Sequence, residues 1–285
     1  MNNKVAIVVD STAYIPQDWI DKYQITVIPL VVIWGKEELH DNVDITANDF
    51  FVRLQTADTM PSTSQPTPDA FQKAYQELYK QGYDILSVHI SSKLSGTINS
   101  AEQAKKMLPD ANIEIVDTLS TIMGCGWPAV MAARAAQEGK GLSECKQIAE
   151  AARDHNYTVF AVDTLEFLHR GGRIGGAQHL VGTALNLKPI LELQEGSIES
   201  LEKVRTRKKS LNRLAELVVE KIGSQQPVYM GVAHANAEAE AKQLLDAIKD
   251  KIEIKESALT YVSPAIGTHT GPGTVAVSYV AGYDI

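Results

Sequence analysis

Short unbroken apolar runs alternate along this chain with longer segments in which apolar residues recur every three or four positions. Val5-Ala6-Ile7-Val8-Val9 ends in Asp10-Ser11-Thr12, the pattern of a strand buried on both faces that stops at a polar loop. Comparable runs at 25–34 (Pro29 notwithstanding), 84–90 and 113–116 predict further strands. Between them, helical spacing predicts a short helix opened by Pro16 and a second through Gln55 with Thr46 as its cap. It also predicts helices over 68–81, 97–108, 123–137 and 143–155, with Gly82 placed to stop the first of these. Such alternation predicts a parallel sheet with helices on both faces.

Around Asn156 the texture changes. Strands are predicted at 158–162, 188–193, 197–204, 228–234, 252–261 (with room for an interruption) and 274–280. A helix through Leu168 and helices over 207–224 and 236–250 lie among them, and Glu195-Gly196 reads as a turn between neighbouring strands. The expected fold is α/β in two domains. An N-terminal three-layer α/β domain with a parallel sheet spans 1–157, and a C-terminal α+β domain spans 158–285. Neither an internal repeat nor a low-complexity tract interrupts this parse.

Composition narrows the function classes. The 285 residues suffice for two cores. A net charge of −8 argues against nonspecific nucleic-acid binding and against adhesion to an anionic membrane, leaving transient membrane contact at most. Cys125 and Cys145 lack metal-type spacing and are too few for a secreted disulfide scaffold. No two histidines have the tight spacing of a metal motif, so neither a metal nor a cofactor is expected. Met1-Asn2-Asn3-Lys4-Val5 runs straight into an apolar strand without a signal peptide's long apolar region, and no stretch reaches the roughly 18 apolar residues of a spanning helix. The expectation is a soluble, reduced, cytoplasmic protein.

Two hydroxyl-rich segments carry the candidate chemistry: Pro61-Ser62-Thr63-Ser64-Gln65-Pro66-Thr67 and Ser91-Ser92-Lys93-Leu94-Ser95-Gly96-Thr97. Each precedes a predicted helix, where free backbone N–H groups, short O–H donors and the positive end of the helix dipole suit a small anion such as a carboxylate or phosphate. Gly96 would let a ligand approach the backbone closely. The ordinary alternative is that each hydroxyl only caps the next helix. A third segment, Thr268-His269-Thr270-Gly271-Pro272-Gly273, places a histidine on what reads as a rigid turn, where it could donate to an anion or act as a base; bonding to a neighbouring carbonyl to hold the turn is the alternative. Arg170 to Gly176 reads as a tight turn between helices that presents Arg170 and Arg173 outward. Lys203, Arg205, Arg207, Lys208 and Lys209 form a cluster whose latter half falls at a predicted helix start, where cations oppose the dipole, a local conflict that suggests a partner surface; an ordinary solvated charged face is the alternative.

In this order, the motifs Asp10-Ser11-Thr12, Asp44-Ile45-Thr46, Thr63-Ser64-Gln65-Pro66, Ile90 to Thr97, Asp163-Thr164-Leu165-Glu166, Gly171-Gly172-Arg173-Ile174, Lys188-Pro189-Ile190-Leu191 and Gly267 to Gly273 resemble those of the DegV family of bacterial fatty-acid-binding proteins, the acyl-carrying subunits of fatty-acid kinase. The resemblance runs end to end. It implies a long-chain fatty acid buried between or within the domains, its carboxyl held by Thr63, Ser95 and the Gly96 region with His269 nearby. It also implies presentation of that carboxyl to an ATP-binding kinase subunit, which makes the acyl phosphate, with Arg173 at a position linked to docking and Arg205 and Arg207 facing the partner. Arg170 stands where the family often has lysine, and Gly175-Gly176 replaces more helix-friendly residues.

Burial of about 15 methylenes contributes on the order of 12 kcal/mol of gross transfer free energy at about 0.8 per CH₂, from which association and ordering subtract a large share. The carboxylate opposes burial unless it is hydrogen-bonded, and two hydroxyls with a helix-terminal N–H could meet that need without an arginine. On this reading the chain has no catalytic residue of its own. A second reading, a Ser/His hydrolase or an enzyme for a small phosphorylated or carbonyl substrate, uses the same hydroxyls with His269. Against it stand the lack of a G-x-S-x-G elbow and of an acidic residue obviously placed to orient His269.

Overall fold

In the computed structural model, which describes residues 4–182 and 187–285, the opening apolar run forms β1 (Val5–Asp10), buried at all six positions. A 3₁₀ turn at Ser11–Ala13 leads to α1 (Gln17–Tyr23), β2 (Thr26–Ile28), β3 (Val31–Trp34), β4 (Glu37–His40) and α2 (Ala47–Leu54). Next come β5 (Ser62–Ser64), α3 (Pro68–Lys80), β6 (Asp84–His89), α4 (Thr97–Lys106), β7 (Ile113–Asp117), α5 (Met123–Gln137) and α6 (Leu142–Asp154). β8 (Asn156–Ala161), α7 (Glu166–Arg170), a 3₁₀ helix (Gly175–Leu180), β9 (Ile190–Gln194), β10 (Ser197–Glu202) and α8 (Arg207–Ile222) follow. β11 (Val228–His234), α9 (Glu238–Lys249), β12 (Glu256–Tyr261), α10 (Pro264–Thr270) and β13 (Val275–Ala281) complete the order. Among the described residues no helix is long and apolar enough to cross a membrane.

Four strands pair in parallel in the order β2-β1-β6-β7. Side chains alternate across a strand, so Val5, Ile7 and Val9 meet α5 and α6, while Val8 and Ile85 meet α3 and α4. This is the three-layered α/β unit that the alternation predicts. A second, six-stranded sheet has the order β10-β9-β8-β13-β11-β12 and is antiparallel except between β11 and β12. Val159, Ala161, Val275 and Val277 pack under α8 and α9. The opposite face presents Phe160, Leu191, Ile198 and Ala276 toward α2, α7 and α10. Helix α5 is buried along nearly its whole length, and its Trp127 and Met131 share one core with Ile7 of β1 and with Tyr229 and Val280 of the second sheet. The two sheets therefore close on a common helix.

The strand expected over 25–34 is two strands in two different sheets. Pro29 supplies no N–H and ends β2; beyond it, β3 joins β4 and β5 in a small antiparallel sheet. β4 is absent from the reading of the sequence, although Gly35, at φ +66°, makes the turn that returns it. At 252–261 only Glu256–Tyr261 is strand, because Ile252 still bonds back to Ile248 at the end of α9.

Asp10 anchors the C-terminal end of β1 from within the core. Its carboxylate accepts from Thr12 N (3.0 Å), Thr12 Oγ1 (2.6 Å), Ile90 N (2.9 Å) and His89 Nδ1 (3.0 Å). Burial pushes this carboxyl up, but the bonds from His89, Thr12 and Ile90 outweigh it and hold the pKa below its ordinary value. Removing one partner of a buried charged network leaves the others unpaired. Asp10→Ala is therefore expected to cost about 3–5 kcal/mol of stability, measured by urea unfolding; a loss under about 1 kcal/mol would contradict this role.

Candidate functional site

Thr63 lies on β5, opposite Val32 of β3, rather than in the open loop its composition suggests. The hydroxyl that caps α3 is that of Thr67, which accepts from Ala70 N at 3.2 Å. Thr63 is thereby left for another partner, and its Oγ1 lies 2.7 Å from His269 Nε2. Ser95 keeps part of the ordinary capping role, accepting from Thr97 N at 3.3 Å with its Oγ 2.8 Å from Thr97 Oγ1. Gly96 occupies the N-cap position of α4 and offers no side-chain cap. A Cβ at Gly96 would stand 2.9 Å from Gln65 Nε2, so the bare position lets the Gln65 amide lie close against the loop before α4.

His269 sits in the last turn of α10, not on the turn expected from Gly-Pro-Gly. Burial, with the Arg173 cation adding to it, pushes its pKa down to about 4. The ring is neutral at physiological pH and carries one N–H. Nδ1 is buried without a hydrogen-bond partner among the described residues and faces Gly171, where a Cβ would fall only 2.1 Å away. A buried orphan N–H is rarer than an orphan acceptor, which assigns the proton to Nε2. Nε2–H then donates to Thr63 Oγ1, and the Thr63 O–H is free to donate onward.

Thr63, Gln65, Ser95, Arg173 and His269 line a partly enclosed cavity whose remaining wall is mostly apolar: Leu30, Ile90, Leu94, Ile122, Phe160, Leu168, Leu193, Ile198, Val262, Ala265, Ile266 and Ala276. Thr121, Thr158, Thr270 and Thr274 complete the wall with Ser64. The space between its atoms is about 820 Å³, solvent at the opening included. The cavity lies between the six-stranded sheet, α10, β5 and the loop before α4.

Arg173 corrects two expectations. It does not point outward; its Nε donates to Leu94 O (3.1 Å) and its Nη1 to Gly171 O (2.7 Å). The polar end of the cavity therefore includes a cation. Arg207 is also tied within the fold, donating to Glu240 (2.7 Å) and lying 3.4 Å from Asp163. Those carboxylates offset the unfavourable placement of a cation at the start of α8. Arg205 is exposed, as are Lys203, Lys208 and Lys209.

Sequence reasoning missed a buried chain: Asp10 to His89 Nδ1, His89 Nε2 to Ser87 Oγ (2.6 Å), and Tyr75 O–H to Ser87 Oγ (2.7 Å). Its order matches a Ser-His-Asp triad, but Ser87, His89 and Asp10 are 0% exposed, so Ser87 cannot meet a substrate. Only the apolar alternation around Ser87 and His89 hinted at their burial. Among the described residues no group of three or more His, Cys, Asp or Glu side chains could hold a metal ion.

Fold and site together define an α/β protein with two sheet-based units and a mostly apolar cavity into which several hydrogen-bonding side chains reach. The DegV family model, described as that of an uncharacterised protein, matches residues 4–282. A DegV domain-containing protein of Clostridium perfringens is 36% identical over 279 residues, covering 96% of this chain and 98% of the relative. The chain belongs to the DegV family. A structure described as fatty acid binding of a DegV family protein from Thermus thermophilus superposes with a TM-score of 0.90 at 33% identity, covering 99% of this chain and 100% of that one. DegV from Bacillus subtilis, described as a fatty acid binding protein, superposes at 0.87 with 33% identity and the same coverage.

The imidazole assignment can be measured directly. His269 should titrate near pH 4 instead of the ordinary 6.5 in an NMR titration. Because the folded value is depressed, its stabilising contribution is complete above pH 6.5 and is lost as pH falls toward 4. A midpoint at the ordinary value would refute the desolvation of the ring.

Proposed function

We propose that this chain carries a long-chain fatty acid in the cavity and presents its carboxyl group to an ATP-binding kinase subunit for conversion to an acyl phosphate. The observation that carries the reading is a cavity with mostly apolar walls into which Thr63, Gln65, Ser95, Arg173 and His269 bring polar groups. Burial of a polymethylene chain against such walls supplies the driving force. Beside that cavity, the hydroxyls of Thr63 and Ser95 donate to the carboxylate, the start of α4 at Gly96 adds the helix dipole, and His269 orients the Thr63 proton. The family membership and the fatty-acid-binding relatives support the same ligand.

Arg173 adds positive potential without a direct salt bridge being required, since two of its donors are engaged by carbonyls. The carboxylate keeps an oxygen free to attack the γ-phosphate of ATP held by the partner. The P–O bond to ADP breaks as the acyl C–O–P bond forms, and ADP leaves with the electron pair. Exposed Arg205, beside Lys203 and Lys208, offers the partner a basic surface; Arg207, tied to Glu240 and Asp163, lies beneath it, and Arg173 lies at the cavity. Such chemistry needs no catalytic group from this chain. A hydrolase is disfavoured because His269 Nδ1 faces Gly171 and not a carboxylate.

Organic extraction of the purified protein followed by mass spectrometry should release a long-chain fatty acid. Thr63→Val should bind the same acid about 10- to 100-fold more weakly, the range for a lost hydrogen bond to a charged group; an empty wild-type protein with no affinity for palmitate would end the reading. Arg205→Glu should leave palmitate binding intact while slowing acyl-phosphate formation with the kinase subunit. Unchanged turnover at limiting partner concentration would remove the basic cluster from the docking surface.

A further inference from the structure

Helix α10 carries His269 but does not cap its own first turn. Ser263 makes no side-chain cap, and Pro264 has no N–H to offer. The two amides on either side of Pro264 are satisfied by the other end of the chain. Ala265 N donates to Asp41 Oδ1 at 2.9 Å, across 224 residues of sequence. Ser263 N donates to the Tyr14 hydroxyl oxygen at 2.6 Å, and that hydroxyl donates to Ser263 Oγ at 3.0 Å. The second oxygen of Asp41 accepts from Ser11 Oγ at 2.6 Å, and Ser11 Oγ accepts from the amide of Leu30, a cavity residue, at 3.1 Å. Ser11, Tyr14, Asp41 and Ser263 are all buried.

Position along the helix gives this clamp its consequence. Ala265 and His269 are four residues apart, hence neighbours on one helical face, and both line the cavity. The clamp holds one turn and the imidazole projects from the next. Helix α10 also presses on α2 at Gly267, beside Phe50 and Phe51, so its first turn has a fixed seat to leave or keep.

The clamp is an expensive way to end a helix. Burial pushes the Asp41 carboxyl up to about 6, against the bonds from Ser11, Ala265 and Ser263, with the nearby Asp10 charge adding to the rise. A folded value above the ordinary 3.8 means that this group stabilises the fold fully below pH 3.8 and ceases to do so as pH rises through about 6. At neutral pH an uncharged residue would serve stability better, which is the mark of a group kept for placement.

We infer that Asp41, with Tyr14, is a positioning residue for His269: from the N-terminal unit the pair pins the first turn of α10 and thereby holds the imidazole against Thr63. The ligand half of the test below rests on the proposed fatty-acid function; the imidazole half does not.

Long-range ¹H–¹⁵N spectra of the ligand-free protein read the tautomer and titration of His269 directly. The groups facing that ring are Thr63 of β5, Gly171 and the Arg173 cation, and none is altered in the variants. In Asp41→Ala and in Tyr14→Phe, the Nε2–H signature should give way to averaging between tautomers. The titration midpoint should rise by about one unit or more toward its solution value, while His155, which bonds Ala281 O and stacks on Tyr283, keeps its wild-type signal. Asp41→Asn, which retains an oxygen for the Ala265 amide, should restore the wild-type spectrum. Palmitate affinity in Asp41→Ala should fall about tenfold, the order expected for a lost helix cap. If folded Asp41→Ala keeps the wild-type His269 tautomer and midpoint, the inference is overturned, whatever happens to affinity; should that variant fail to fold, Tyr14→Phe decides by the same criterion. A changed imidazole with no palmitate binding even in the wild type would sustain the clamp and reject the fatty-acid reading.

Discussion

A hydrogen bond between Thr63 and His269, 206 residues apart in sequence, is the contact around which the rest of the site is arranged. Its two partners come from different parts of the molecule, a short strand of the small antiparallel sheet and a helix that follows the last crossover of the six-stranded one. The bond has a defined direction because desolvation leaves Nδ1 without a partner among the described residues, so that the one proton of the neutral ring sits on Nε2. Exposure to water would give Nδ1 a partner, the tautomer whose Nε2 accepts from Thr63 would form as well, and the Thr63 proton would no longer be left free.

That desolvation requires close packing from several directions at once. Gly171 meets one side of the ring, Gly96 lets Gln65 seal the loop before α4, and the buried helix α5 holds the two sheets at a fixed separation. The cavity is the space these contacts leave. Its apolar wall is largely the face of the six-stranded sheet not covered by α8 and α9, so the alternation that builds the core also builds the cavity wall. Fold and cavity are not separable here: Phe160, Leu168, Ile198 and Ala276 are core residues that also line the cavity.

Much of this was legible in the chain. The parallel sheet, its flanking helices, the Thr46 cap and the turn at Glu195-Gly196 follow from local periodicity and capping chemistry, which the tertiary structure leaves in place. Thr63, Ser95, Gly96 and His269 stood out for residue type and setting, and they line or adjoin one cavity. The resemblance in ordered motifs implied a fatty-acid carboxylate where residue types alone left carboxylate and phosphate open. Local signals failed where a polar residue answers to a distant partner. Arg173 reads as a surface cation until Leu94 O and Gly171 O are seen to hold it, and Arg207 reads as a conflict with the α8 dipole until Glu240 and Asp163 are placed beside it. Asp10, His89 and Ser87 carried no more than a hint of burial, because the order of residues in a strand does not reveal which neighbours complete a hydrogen-bond chain.

The linear chain thus dictated the elements and their amphipathic faces, since helix and strand periods and turn chemistry act over a few residues. It also marked the hydroxyls and the histidine as unusual. Tertiary structure alone decided the protonation state of His269, the inward turn of Arg173, the division of the 25–34 run between two sheets and the capping of α10 by Asp41. Each of those depends on desolvation or on a partner tens to hundreds of residues away, and neither quantity exists until the chain has closed on itself.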